Sequence, residues 1–286
     1  MVTGSEPIVK SIFLDDEIEV VHPDIPRGHF RHVLFDFDGT LSLIREGWQD
    51  VMVSMMVEVL QQTGTHETPT ELRAHVREFV MRLTGRQTIY QMIQLADEVK
   101  TRGGQALDPL EYKHRYHQLL MRRIEGRLQA LANGASAPDE WTVPGSRPFL
   151  DALHRNGCKL YLASGTDLKY VQHEAELLGL AEYFGDNIYG AIDDYKRYSK
   201  GMVMERILAE NHLHGPELLG FGDGYVEIAE VKRAGGVAVA VASDETGRLG
   251  TDEWKRRRLL EAGADIVIPD YRKGQQLLDY LLVKRP

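Results

Sequence analysis

The stretch His32-Val33-Leu34-Phe35-Asp36-Phe37-Asp38-Gly39-Thr40 decides how this chain folds. It opens as an apolar, strand-like run and stops abruptly at Asp38-Gly39-Thr40, where glycine permits a tight turn. Side chains along a strand alternate, so Asp36 and Asp38 point one way while Phe35 and Phe37 point the other. Two carboxylates side by side at a strand end, backed by buried aromatics, are a place for chemistry rather than for packing.

Working outward from that strand, the periodicity changes to helical. Trp48, Met52, Met55, Met56, Val59 and Leu60 share one face, and Leu72, Val76, Phe79, Val80 and Leu83 share another. A third helix spans about Thr88 to Val99 before Gly103 and Gly104. A fourth opens at Asp108-Pro109, an N-cap followed by a first-turn proline, and ends near Gly134. Beyond Pro144-Gly145, strands at Leu160 to Ala163, near Ile188, at Leu218 to Phe221, at Val237 to Val241 and at Asp265 to Ile268 alternate with helices. Such alternation implies an α/β fold, a Rossmann-like parallel sheet with helices on both faces. The strand from Val33 joins that sheet, so the four helices form a bundle inserted after the first core strand. The expected division is an N-terminal extension, 1–30, a core from 31–44 and 143–286, and a helical insert, 45–142.

With 286 residues, 43% hydrophobic and 27% charged, the chain is long enough for a core plus an insert and has ordinary globular usage. Its formal charge of -9 repels phosphate backbones, which argues against nucleic acid as a partner. No apolar run is long enough to span a bilayer, and the start lacks the pattern of an export signal, so no membrane role is expected. The lone Cys158 cannot make an intramolecular disulfide; it reads as inert, and a reducing, cytoplasmic setting fits. His114 with His117, and His212 with His214, lack convergent ligands for a metal site. The run Lys255 to Arg258 reads as a solvated helix face. The oligomeric state is left open, and a homo-oligomer is compatible with the chain.

In an open parallel sheet, ligands bind beyond the carboxyl ends of the strands, and other strands deliver partners for Asp36 and Asp38 to that edge. Ser164-Gly165-Thr166 follows one strand and offers a hydroxyl and a backbone amide to an anion. Gly222-Asp223-Gly224 follows another, with Glu227 four residues after Asp223; these acidic groups suit a hard cation. Glu227 also reads as an ordinary first-turn helix acid. Lys200, directly before a helix, supplies an ammonium that neutralises phosphate, with Lys196 as a competing candidate.

Taken in order, Asp36-Phe37-Asp38-Gly39-Thr40, Ser164, Lys200 and Gly222-Asp223 with Glu227 resemble the four motifs of the haloacid dehalogenase superfamily. The insert looks like the helical cap of its phosphoglycolate phosphatase and β-phosphoglucomutase branch. The resemblance runs from about Val33 to the C-terminus. It implies a Mg²⁺-dependent phosphatase acting on a small phosphorylated metabolite, such as a sugar phosphate or a phosphoglycolate-like compound.

Asp36 would be the nucleophile that forms an aspartyl phosphate, and Asp38 the general acid and base. Ser164, Gly165 and Lys200 would hold the transferring oxygens, and Mg²⁺ would sit on Asp36, the Asp38 carbonyl and Asp223, with Glu227 direct or through water. Two departures from the family pattern are Glu227, commonly aspartate, and Gly201, commonly proline. In the cap, Thr84-Gly85-Arg86-Gln87 breaks two helices and reads either as a solvated loop or as the segment through which Arg86 and Gln87 contact substrate. Arg45 and Trp48, just after the first motif, read either as substrate contacts or, more simply, as a hinge-side ion pair and a core aromatic.

Dehalogenation is disfavoured because halide departure needs no acid in the place of Asp38, and phosphonate cleavage because the resembled phosphonatases lack this second aspartate. A phosphomutase shares all four motifs, although Thr40 stands where the resembled mutases often have valine. A catalytically idle phosphometabolite sensor is argued against by the intact motif residues.

Overall fold

The computed structural model describes residues 11–14, 16–192 and 199–283. Lys196 lies outside the described residues. The sheet begins with two short strands, β1 (Ile12–Phe13) and β2 (Glu19–Val20). Six parallel strands follow: β3 (His32–Phe35), β4 (Lys159–Asp167), β5 (Ile188–Ala191), β6 (Leu218–Gly222), β7 (Val237–Val241) and β8 (Ile266–Ile268). Their order across the sheet is β1-β2-β8-β7-β6-β3-β4-β5, with β1 and β2 antiparallel at one edge. Part of the expected N-terminal extension, 1–30, therefore belongs to the core, because β2 pairs with β8 and extends its sheet.

Alternation sets the two faces of this sheet. Val33 and Phe35 of β3, Leu160 and Leu162 of β4, and Val237, Val239 and Val241 of β7 belong to one apolar cluster. Leu34, Tyr161, Ala163, Ala238 and Ala240 belong to the other. The first face buries Phe149 of α5 (Ser146–Arg155) together with Leu277, Leu278 and Leu281 of α11 (Gly274–Leu282). The second buries Val203, Met204 and Ile207 of α8 (Lys200–Glu210), Ile228 and Val231 of α9 (Tyr225–Arg233), and Leu259 of α10 (Glu253–Glu261). Phe35, stacked on Phe221 at 4.8 Å between ring centroids, fixes the two central strands whose ends carry the acidic motifs.

Between β3 and β4 stand four helices, α1 (Trp48–Gln61), α2 (Pro69–Arg82), α3 (Thr88–Thr101) and α4 (Pro109–Ala132). Their caps are local: Thr68 and Glu71 form a reciprocal capping box at α2, and the Asp108 side chain accepts from the Leu110 N–H at α4. Met52, Met55 and Met56 are buried inside this unit. The chain enters and leaves it along paired segments, with Leu43 N donating to the Trp141 carbonyl at 2.8 Å and Val143 N to the Leu41 carbonyl at 3.0 Å. That paired neck is where the chain passes between the unit and the core.

A second contact between the unit and the core is made by His117 of α4, which stacks on Tyr170 of α6 (Leu168–Leu177) at 4.1 Å. Burial, helped by the Arg45 charge, pushes its pKa down to about 4. An unfolded histidine takes its proton below about 6.5, so the contact contributes fully above that pH and loses its contribution as pH falls towards 4. Thermal unfolding at pH 7 and pH 5 checks this: His117→Phe should lose less stability over that interval than the wild type.

Candidate active site

Each motif reaches the same cleft because parallel strands end on one edge of the sheet. Asp36 and Asp38 follow β3, Ser164, Gly165 and Thr166 lie in the last part of β4, Lys200 opens α8, and Asp223 and Glu227 flank the start of α9. The structure extends β4 to Asp167, past the expected end at Ala163, and makes Lys200 the first residue of α8 rather than the residue before it. The Ser199 hydroxyl caps that helix by accepting from Met202 N at 3.1 Å. The cleft, about 790 Å³ including its mouth, is also lined by Arg45, Trp48 and Met52 and by Thr84, Gly85 and Arg86.

Asp36 is 7% exposed and sits at the centre. Its Oδ1 accepts from the Phe37 N–H at 2.7 Å and lies 2.7 Å from Lys200 Nζ, and Lys200 also bonds Glu227. Burial raises the Asp36 pKa well above the ordinary carboxylate range; Lys200 opposes this, while Glu227 and Asp223 add to it. Lys200 keeps its proton more tightly than a free lysine, because Asp36 and Glu227 outweigh the cost of burying its charge. Glu227 is thus no solvated first-turn acid: it is 4% exposed and faces inward.

Asp38 is held by hydroxyls. Its Oδ2 accepts from Thr166 Oγ1 at 2.9 Å and from Ser164 Oγ at 3.3 Å, and its Oδ1 lies 3.6 Å from Arg45 Nε. Thr166 is a site residue that the motif reading passes over, although an extended strand places it on the same side as Ser164, two residues earlier. Arg45 is indeed in an ion pair at the hinge, with Glu174 of α6, and Trp48 lines the cleft.

Gly39, at φ +76°, makes the turn after the aspartates, and a methyl group there would overlap the Asp223 carboxylate. The Thr84–Gln87 loop descends onto the core rather than standing in solvent. Gly85, at φ +92°, packs so close to the motif residues that an added Cβ would lie 2.6 Å from Glu227 Oε2. Gly165 lies under the Arg86 carbonyl, which would be 3.1 Å from a Cβ there. Gly85→Ala should therefore block full seating of the loop and lower kcat/KM by about tenfold, and the strain of an L-residue at this φ, about 1–2 kcal/mol, should lower the melting temperature by a few degrees. Equal kinetics in the variant would show that the loop contact is not needed. Of the two substrate candidates here, Arg86 lines the main cleft, whereas Gln87 is buried as the N-cap of α3 and faces an adjoining space of about 660 Å³.

The run Lys255 to Arg258 is not a solvated face. Asp252 caps α10 by accepting from the Trp254 and Lys255 amides, which turns Lys255 inward. Its side chain is buried, with Nζ 2.9 Å from Asp223 Oδ2 and 2.7 Å from Glu245 Oε1. Burial disfavours that charge, but the two carboxylates outweigh it and raise the lysine pKa. Arg258 on the next turn donates to the Met81 carbonyl of α2, so α10 touches insert and core together.

Among the described residues no group of three or more His, Cys, Asp or Glu side chains is placed to hold a metal ion by itself. Asp36, Asp38, Asp223 and Glu227 do converge on the cleft, with Lys200 and Lys255 on three of them. They still fit a hard divalent cation, which takes one or two carboxylates plus water and substrate oxygens rather than a full protein cage. Asp38 Oδ1 and Glu227 Oε2 are buried without a hydrogen-bond partner, and carboxylates outnumber ammonium groups around them. Cys158 is distant from this chemistry, buried with its Sγ against the Phe30 carbonyl, and burial raises its pKa.

Residues 30–235 match the family model of the haloacid dehalogenase-like hydrolases. No curated protein matches significantly. Among solved structures, a family IA, variant 3 haloacid dehalogenase hydrolase from Entamoeba histolytica is similar at TM-score 0.59 and 17% identity, covering 88% of this chain and 99% of its own. A "predicted phosphoglycolate phosphatase" from Haemophilus somnus is similar at TM-score 0.57 and 16% identity, covering 87% of this chain and 98% of its own. A family hydrolase from Deinococcus radiodurans with bound phosphate and sodium is similar at TM-score 0.52 and 17% identity, covering 89% of this chain and 98% of its own.

Proposed function

Because the chain belongs to the haloacid dehalogenase-like hydrolases, we propose that it hydrolyses the phosphomonoester of a small metabolite through a phosphorylated Asp36. The observation that carries this reading is the meeting of Asp36, Asp38, Ser164 and Lys200 in one cleft beneath the helical cap. A carboxylate oxygen of Asp36 attacks phosphorus, and the bond to the alcohol oxygen breaks as Asp38 gives that oxygen a proton. Asp38 then takes a proton from water, whose oxygen attacks the same phosphorus and breaks its bond to Asp36. Inorganic phosphate leaves and the carboxylate is regenerated.

Ser164 Oγ, the Gly165 amide and Lys200 hold the non-bridging oxygens, the fixed electrostatic part of the catalysis. Asp36, the Asp38 carbonyl and Asp223, with Glu227 direct or through water, would hold Mg²⁺, which would supply charge neutralisation for the incoming dianion. The closed Thr84–Gln87 loop excludes water from the first step, and Arg86 at its tip reads the leaving group together with Trp48 and the other cap residues of the cleft. A sugar phosphate or a phosphoglycolate-like compound suits a cleft of this size and polarity. Among the described residues no helix is long and apolar enough to cross a membrane, and the lone buried cysteine suits a reducing cytoplasm.

The test is phosphate release from a panel of sugar phosphates, phosphoglycolate and nucleotides, with Mg²⁺ and with a chelator. Release that needs Mg²⁺ supports the reading, and the best substrate names the class. No release from any of them would turn attention to phosphoryl transfer between hydroxyls or to binding without turnover.

A further inference from the structure

Among the described residues Lys255 is the one buried ammonium of the cleft that the four motifs leave without a role, and it lies beyond residues 30–235, the span of the family match. Its Nζ bridges Asp223 Oδ2 at 2.9 Å and Glu245 Oε1 at 2.7 Å, and its side chain is 8% exposed. Asp223 is pinned from its other side by Thr40 Oγ1, 3.4 Å from Oδ1, and packs against Gly39. Lys200 is the matching ammonium across the site, but it bonds Asp36 and Glu227 and leaves Asp223 and Glu245 to Lys255.

We infer that Lys255 is an internal counter-ion, a positioning residue that holds Asp223 and Glu245 together while the site lacks a metal and competes with the metal for Asp223. The inference rests on the metal-dependent reading above. Its physical content is a sign. A lysine that merely oriented Asp223 would strengthen metal binding, so its loss would weaken it. A competing ammonium does the reverse: removing it makes the site one unit more negative and frees an oxygen of Asp223, so a divalent cation binds more tightly. The same removal leaves two partly buried carboxylates facing each other without their shared cation, so the metal-free protein becomes less stable and more dependent on metal for its fold.

The experiment titrates Mg²⁺ into the full-length wild type, Lys255→Met, Lys255→Arg and Asp223→Asn by calorimetry, with thermal unfolding of each in Mg²⁺ and in chelator. The expected result is Mg²⁺ binding about tenfold tighter in Lys255→Met than in wild type, a size set by one nearby charge in a polar cleft. The rise in melting temperature on adding Mg²⁺ should also be larger in that variant, with Lys255→Arg close to wild type. Equal or weaker binding in Lys255→Met overturns the inference and leaves the phosphatase reading standing. If Lys255→Met does not fold in chelator, millimolar Mg²⁺ should restore the folded state; failure to do so likewise overturns the inference. If wild type binds no Mg²⁺ and Asp223→Asn changes nothing, the metal-dependent reading falls, and the inference with it.

Discussion

Asp36→Asn lowers phosphate release by about 10³-fold or more, the scale of losing a covalent nucleophile, while the protein keeps its fold. The substitution is close to isosteric, and its surroundings explain why stability survives. Burial already holds the Asp36 pKa far above the ordinary range, so a neutral amide removes a desolvation cost that the carboxylate carries. Lys200 loses one anionic partner but keeps Glu227, so its charge stays paired. The Phe37 N–H still finds an acceptor in the oxygen of the new side-chain amide, as it does now in Asp36 Oδ1. The check is steady-state release on the best substrate of the panel, with thermal unfolding alongside. Turnover near the wild-type rate in a folded variant would sink the covalent mechanism, because no other carboxylate stands where Asp36 stands.

That centre was legible in the chain because its residues sit at strand ends, where local pattern dictates position. An apolar run closed by Asp38-Gly39 fixes where β3 stops, and strand–helix alternation then forces the ends of β4 and β6 onto the same edge. The helices of the insert were equally plain, since their apolar residues recur at helical spacing and Asp108-Pro109 announces the start of α4. What escaped is what long-range packing decides. Lys255 lies in a basic run whose usual place is solvent, and it turns inward where the Asp252 cap starts α10 and where Asp223, 32 residues away, and Glu245 receive its ammonium. The edge strands β1 and β2 are two residues each, too short for any periodic signal, and Glu19 is held by Arg256 of α10, 237 residues away. Arg45 reads as an ion-pair residue, but the other half of the pair, Glu174, lies 129 residues away and carries no motif.

That last pair carries the largest expected stability effect. Arg45 is 7% exposed and Glu174 1%, and the guanidinium reaches the carboxylate through Nη2 at 2.6 Å and Nε at 3.0 Å. Burial works against the Arg45 charge, yet Glu174 and Asp38 outweigh it, so the guanidinium stays ionised in the interior. Glu174→Ala therefore leaves a buried cation without its main partner and should cost about 3–5 kcal/mol, measured by urea unfolding. The orphaned guanidinium is already 3.6 Å from Asp38 Oδ1, so it closes on the carboxylate proposed as general acid and base, and kcat falls in whatever fraction stays folded. Replacing both partners, Arg45→Met with Glu174→Leu, separates the two effects. Apolar side chains of similar volume should recover most of the lost stability, since a well-packed apolar pair often equals a buried ion pair. Activity should not recover with it, because Asp38 then faces a methionine instead of a fixed positive charge. A Glu174→Ala cost below about 1 kcal/mol would place the pair among solvent-screened ion pairs, and Arg45 would then lose its standing as a rigid link between the neck of the cap and the catalytic edge of the sheet.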